Sequence, residues 1–252
     1  MIKIASFSAD WWQKHPLIFG HRGASHQAPQ NTLAAFRAAA NLGADGVELD
    51  VQLTKDGVPI IMHNQKVDET TNGHGLVTEL TLARIKELDA GSSFSPEFVG
   101  EQIPTLEETL ATLGQRLLFN IELKPAGKRS VELVNAVAEI VQRLHMNRRV
   151  WFSSYEPYLL YRMHALRPEI PGGILCYPPT LFSQLLSLVT PHEALHPHFQ
   201  LISEKMVQRI HRHGMRLVTW TVDSLEVAQR LANWGVDVLI SNEPDKLLEA
   251  LR

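Results

Sequence analysis

Gly46-Val47-Glu48-Leu49-Asp50-Val51-Gln52-Leu53-Thr54-Lys55-Asp56-Gly57-Val58-Pro59-Ile60-Ile61-Met62-His63 is the stretch on which the fold turns. It reads as two β-rich runs, Gly46–Leu53 and Val58–Met62, separated by about four residues. A parallel crossover needs about a dozen residues, so the two runs form an antiparallel hairpin, and Asp56-Gly57 is a strong two-residue turn signal. The first run also carries chemistry. Successive strand side chains alternate faces, so Glu48 and Asp50 share one side while Val47, Leu49 and Val51 take the other. Two neighbouring carboxylates repel, and burying them is costly without a cation between them.

Elsewhere apolar, β-rich runs alternate with amphipathic stretches. Strands are expected at Leu17–Gly20, Leu117–Leu123, Val150–Ser153, Gly173–Cys176, Phe199–Ile202, Leu217–Val222 and Val236–Ile240. Helices are expected at Asn31–Leu42, Leu106–Leu113, Ser130–Leu144, Pro157–Leu166, Ser203–His213 and Ser224–Trp234. This alternation implies a parallel sheet. With the hairpin's return run set aside, eight parallel strands remain, which suits a (β/α)8 TIM barrel with one extra antiparallel strand. The rhythm stops between residues 64 and about 104, a glycine- and serine-rich stretch with a short helical piece near Leu82–Leu88. It reads as a small insertion over the barrel mouth within one domain spanning residues 1–252.

The 252 residues are 44% hydrophobic and 20% charged, as in ordinary globular proteins, and the net charge of -3 supplies no basic field for nucleic acid or an anionic membrane. The lone cysteine, Cys176, rules out an intrachain disulfide and fits a reducing compartment. The N-terminal residues lack a signal-peptide pattern, and no apolar window is long enough to span a bilayer. A cytoplasmic protein with no stable membrane insertion is expected. The chain's twelve histidines are mostly surface or hydrogen-bonded residues on this reading; His196-Pro197-His198 and His211-Arg212-His213 are read as solvated. Trp11-Trp12 packs the barrel floor or is exposed.

In a barrel of this type the active site lies at the C-terminal ends of the strands. His21 and Arg22 end the first strand, and Glu122 and Lys124 share a face near the end of another. If Asp56 and Gly57 are the two loop residues, His63 falls opposite Asp50 on the same face, a placement that a one-residue change of loop would reverse. Glu48, Asp50 and Glu122 are three hard oxygen donors, suited to Mg²⁺ or Ca²⁺ rather than zinc. Arg22 and Lys124 beside them fit a phosphate-bearing substrate. Two histidines there fit an acid–base pair. Trp220 is placed either toward the helices or on the pocket wall.

These residues, together with Ala28-Pro29-Gln30-Asn31-Thr32, Thr70-Thr71-Asn72-Gly73, Asn120-Ile121-Glu122-Leu123-Lys124-Pro125, Thr219-Trp220-Thr221-Val222 and Gly235-Val236-Asp237, make the chain resemble the glycerophosphodiester phosphodiesterases over nearly its whole length. The resemblance implies a (β/α)8 barrel with a family-specific insertion, a divalent metal on Glu48, Asp50 and Glu122, His21 and His63 as acid and base, and Arg22 and Lys124 on the phosphate. It implies hydrolysis of glycerophosphodiesters to an alcohol and glycerol 3-phosphate, one route passing through a cyclic phosphate formed by a neighbouring glycerol hydroxyl. It would place the chain in lipid and glycerol metabolism. Gln30, Asn64 and Glu69 depart from the family's usual glutamate, aspartate and basic residue, and Asp223 and Asn242 from its usual asparagine and aspartate. The competing readings are a phospholipase of lysophospholipase D type and an inactive barrel serving as a binding module.

Overall fold

In the computed structural model, which describes residue 11 and residues 16–176 and 190–252, nine strands form one sheet. They are β1 (Leu17–His21), β2 (Gly46–Leu53), β3 (Pro59–Ile61), β4 (Leu118–Leu123), β5 (Val150–Ser154), β6 (Gly172–Cys176), β7 (Ala194–Pro197), β8 (Arg216–Thr219) and β9 (Val238–Ser241). Their order is β1-β9-β8-β7-β6-β5-β4-β2-β3, and β1 also pairs with β2. That pairing closes eight parallel strands into a barrel; β3 hangs on β2 as its antiparallel partner. The expected TIM barrel with an extra hairpin strand is therefore the observed fold.

Helices cover the outside. Leu33–Leu42 follows β1, starting at Thr32, whose hydroxyl accepts from Ala35 N, and stopping at Gly43 in the left-handed region at φ 86°. Leu106–Leu113 begins with a capping box between Thr105 and Glu108, a device of about 1 kcal/mol. The helices Ser130–Arg143, Pro157–Leu166, Glu204–Arg212 and Leu225–Asn233 match the expected positions. A further helix, Pro244–Leu251, was not anticipated. The outward faces of β2, β4 and β5 supply Val47, Leu49, Phe119, Ile121 and Phe152 to the large core under the helices. Inside the barrel the floor is apolar: Leu17, Phe19, Leu118, Trp151, Ala194, Val218, Val238 and Ile240. Trp11 packs there against Trp151, ring centroids 5.7 Å apart; Trp12 lies outside the described residues.

Three expectations need correction. The hairpin loop has three residues, not two. Thr54 N donates to Val58 O, and Val51 pairs with Ile61, so the loop is Lys55-Asp56-Gly57 with Gly57 at φ 83°. Met62, not His63, then faces Asp50, and Met62 N donates to Asp50 O at 2.9 Å. His63 nevertheless lines the cavity: β3 ends at Ile61, and beyond it the Gln52 amide donates to the carbonyls of Met62, His63 and Asn64. The sixth barrel strand is Ala194–Pro197, and the expected strand Phe199–Ile202 begins with a 3-10 turn at Phe199–Leu201. His196 is fully buried rather than solvated.

Between β3 and Leu106 the chain makes short 3-10 turns and one helical turn, Leu82–Ile85. It owns a small core of Ile60, Met62, Val67, Val77, Ile85, Leu88, Ala90 and Ile103. Asp89 ties its glycine-rich loop, accepting from the backbone N–H groups of Gly91, Ser92 and Gly100.

Candidate active site

The C-terminal ends of the strands surround an open cavity. His21, Arg22, Glu48, His63, Glu122, Lys124 and Trp220 all line it. Asp50 sits just behind that wall, 1% exposed, and touches the lining through Arg22 Nε at 3.4 Å and Lys124 Nζ at 2.9 Å. The eight residues singled out in the sequence thus converge on one place. Parallel register explains it: His21, Glu48 and Asn120 are lateral neighbours across β1, β2 and β4, and Asp50 neighbours Glu122. Trp220 belongs to the pocket wall. Its indole N–H donates to the His196 carbonyl at 3.2 Å, and its ring meets Tyr155 edge-on at 6.2 Å.

The first βα turn is tightly built. Arg22 adopts φ 57°, a left-handed conformation rare for a residue with a side chain. That turn lets its backbone N–H donate to Glu48 Oε2 at 3.1 Å while its guanidinium reaches Gln30 Oε1 at 2.5 Å. Asn31, also left-handed at φ 59°, donates from Nδ2 to Asp50 Oδ2 at 2.8 Å. Lys124 Nζ bridges Asp50 and Glu122, at 2.9 and 2.5 Å.

Burial and charge together set the protonation pattern. Burial, then the neighbouring carboxylates Asp50 and Glu122, push Glu48 well above the ordinary carboxylate range. Burial and Asp50 raise Glu122 to about 7. Burial would raise Asp50 as well, but Lys124 and Arg22 outweigh it and hold Asp50 below its usual value. Burial and the Arg22 charge lower His21 to about 4; burial also lowers His63, against the pull of Asp50.

The donor set fits a hard divalent cation. One oxygen from each of Glu48, Asp50 and Glu122 lies within 4.8 Å of the other two, and Asn120 Oδ1 nearby is buried without a hydrogen-bond partner among the described residues. Burial, and then repulsion from the neighbouring carboxylates, drive two of the three toward their neutral forms, and a bound dication would oppose both effects.

Sequence reasoning gave no individual site role to Asn120, Ser153 and Tyr155 on the cavity wall, or to the supporting Asn31 and Asn242. The alternation that pairs Glu122 with Lys124 reaches back to Asn120, and on β5 it links Ser153 with Tyr155. Asn31 and Asn242 act from loops, where no period marks a face.

Fold and rim together define a (β/α)8 barrel enzyme with a charged active-site mouth. Residues 21–246 match the glycerophosphoryl diester phosphodiesterase family, and the chain belongs to it. A glycerophosphodiester phosphodiesterase of Caldanaerobacter subterraneus is 38% identical over 237 residues, covering 94% of this chain and 98% of that one. One from Bacillus subtilis is 33% identical over 246 residues, covering 91% and 84%. Among solved structures, a phosphodiesterase of Oleispira antarctica in complex with the product sn-glycerol-3-phosphate superposes with a TM-score of 0.86 at 33% identity, covering 93% of this chain and 96% of that one.

Proposed function

We propose that this chain hydrolyses glycerophosphodiesters to an alcohol and sn-glycerol 3-phosphate with the help of Mg²⁺ or Ca²⁺. The observation that carries the reading is the gathering of three carboxylates, two imidazoles, a guanidinium and an ammonium around one cavity. Glu48, Asp50 and Glu122 would hold the cation. When bound, it supplies positive charge to the phosphate oxygens. Three carboxylates outnumber the two basic groups; a dication together with a phosphodiester monoanion brings the cluster to neutrality.

Arg22 and Lys124 bind the phosphate and stabilise negative charge that grows on its oxygens in the transition state. His21 and His63 act as the acid–base pair, one taking the proton of the attacking hydroxyl and the other protonating the leaving oxygen. Trp220 forms the wall against which the alcohol part rests. The whole chain acts as one barrel domain, with residues of about 64–104 as an insertion that delivers His63. Its single cysteine accords with a cytoplasmic setting, and no helix among the described residues is long and apolar enough to cross a membrane.

The test is glycerol 3-phosphate release from purified protein given glycerophosphocholine and other head groups, with chelator and with each metal restored. Release that stops with chelator and returns with Mg²⁺ or Ca²⁺ is expected. Activity confined to lysophospholipid vesicles would favour the phospholipase reading, and no release from any substrate the inactive barrel. His21→Ala and His63→Ala should each lower kcat by roughly 10²-fold; near-normal kcat in either variant would remove that histidine from the pair.

A further inference from the structure

His21 does not hang free in the cavity. Its Nδ1 lies 2.8 Å from Asn242 Oδ1, and the Ser25 hydroxyl donates to the same oxygen at 2.8 Å. Behind Asn242 stands Asp223. One carboxylate oxygen of Asp223 accepts from Asn242 Nδ2 at 2.7 Å; the other accepts from Asn242 N at 2.8 Å and Ser241 Oγ at 2.9 Å. The ends of an asparagine amide are told apart only by their partners. Here the partners decide. A carboxylate accepts hydrogen bonds and gives none, so the NH₂ end of Asn242 must face Asp223 and its oxygen must face His21. An amide oxygen accepts only, so the hydrogen between it and the ring belongs to Nδ1.

His63 is held in the same way. Its Nδ1 lies 2.5 Å from Asn64 Oδ1, and Asn64 Nδ2 donates to Glu69 Oε2. The same three-part chain, imidazole to amide to carboxylate, is therefore built twice from unrelated loops. Both rings line the cavity, and in both the nitrogen left for it is Nε2.

We infer that Asp223 and Asn242, and likewise Glu69 and Asn64, are positioning residues that hold the neutral rings of His21 and His63 as their Nδ1–H tautomers, so that Nε2 is the atom that faces the substrate, taking a proton in the base and, once protonated, giving one in the acid. Each carboxylate acts one step removed, by fixing the direction of an amide. The inference rests on the acid–base roles proposed above, but its main test needs no turnover.

Nitrogen-15 spectra of the ring nitrogens, recorded on the full chain above the ordinary imidazole range and assigned by the signals lost in His21→Gln, read the tautomer directly. The wild-type ring should show a protonated Nδ1 and a lone-pair Nε2. In Asp223→Asn the acceptor-only carboxylate that dictates the direction of the Asn242 amide is gone, so both tautomers should appear, and kcat should fall roughly tenfold with KM within about twofold. The double exchange Asp223→Asn/Asn242→Asp puts the carboxylate beside the ring and the amide behind it. It should restore the single tautomer and recover kcat to within about threefold of wild type.

A wild-type ring protonated on Nε2 would overturn the inference. So would an Asp223→Asn protein with unchanged spectrum and kcat, or a double exchange no better than the single one. If the expected tautomer is seen in a protein that releases no glycerol 3-phosphate, the positioning stands and the proposed reaction falls.

Discussion

Lys124 carries two opposed duties. Its ammonium sits between Asp50 and Glu122, close to where the carboxylates would hold a cation. Burial disfavours the charged lysine, but the attraction of Asp50 and then Glu122 wins and raises its pKa above the ordinary value. Removing it should have effects of opposite sign on metal and on catalysis. Lys124→Met deletes a positive charge beside the cation site, so Mg²⁺ should bind roughly tenfold tighter, as expected for two like charges at close range with partial screening. The same variant loses a phosphate contact, and kcat/KM should fall by roughly 10²-fold. Calorimetric titration with Mg²⁺ and steady-state kinetics on one preparation would check both. Weaker metal binding would mean that Lys124 organises the carboxylates rather than competing with the ion.

Local rules and tertiary context divide the elements. The alternation of β2 and β4 identified Glu48, Asp50, Glu122 and Lys124 from sequence, because a strand of fixed period offers no choice of face. The hairpin was legible, but its loop length was not. Asp-Gly suits a two-residue turn, whereas here Thr54 Oγ1 bonds Asp56 and the Val58 N–H, which draws Lys55 into the loop. His63 lines the same cavity as the carboxylates, by a different geometric route from the one the two-residue turn implies. β7 escaped notice because Ala-Leu-His-Pro has little β character. Its His196 ring lies so close to β6 that a Cβ on Gly173 would come within 2.2 Å of Nε2; no local signal announces such packing. Gly46 shows the same constraint at the barrel seam. A Cβ there would stand 2.3 Å from the Phe19 ring and 2.5 Å from the Leu118 carbonyl oxygen. The ring could shift, but the carbonyl belongs to β4 and cannot move without parting the strands. Gly46→Ala should therefore destabilise the protein by about 1–3 kcal/mol, seen as a lower urea midpoint at unchanged slope. An unchanged midpoint would show that the seam has slack.

For the whole molecule, the barrel gathers carboxylates that would repel in isolation, and the fold's stability must register it. Glu122, raised to about 7 by burial and Asp50, and Glu48, raised well above its usual range, keep protons in the folded, cation-free protein that the unfolded chain releases near pH 4–5. A carboxylate raised on folding contributes stability at low pH that is lost as pH rises through its folded value. The buried histidines work in the opposite direction. His21 at about 4 and His196 at about 3, both depressed chiefly by burial, stabilise the fold above the ordinary imidazole pKa and lose that contribution as pH falls. The two effects oppose each other between about pH 4 and 6.5. Above that window both histidines are neutral in either state, and the glutamates alone remain. With chelator present, Tm should therefore fall between about pH 6.5 and 8. Saturating Mg²⁺ favours the ionised carboxylates and should flatten that fall, so the rise in Tm on adding metal should be larger at the upper pH than at the lower. Thermal melts at both values, with chelator and with Mg²⁺, measure the difference. A metal-induced rise that is equal at the two, or smaller at the higher pH, would mean that the ion does not bind to these carboxylates.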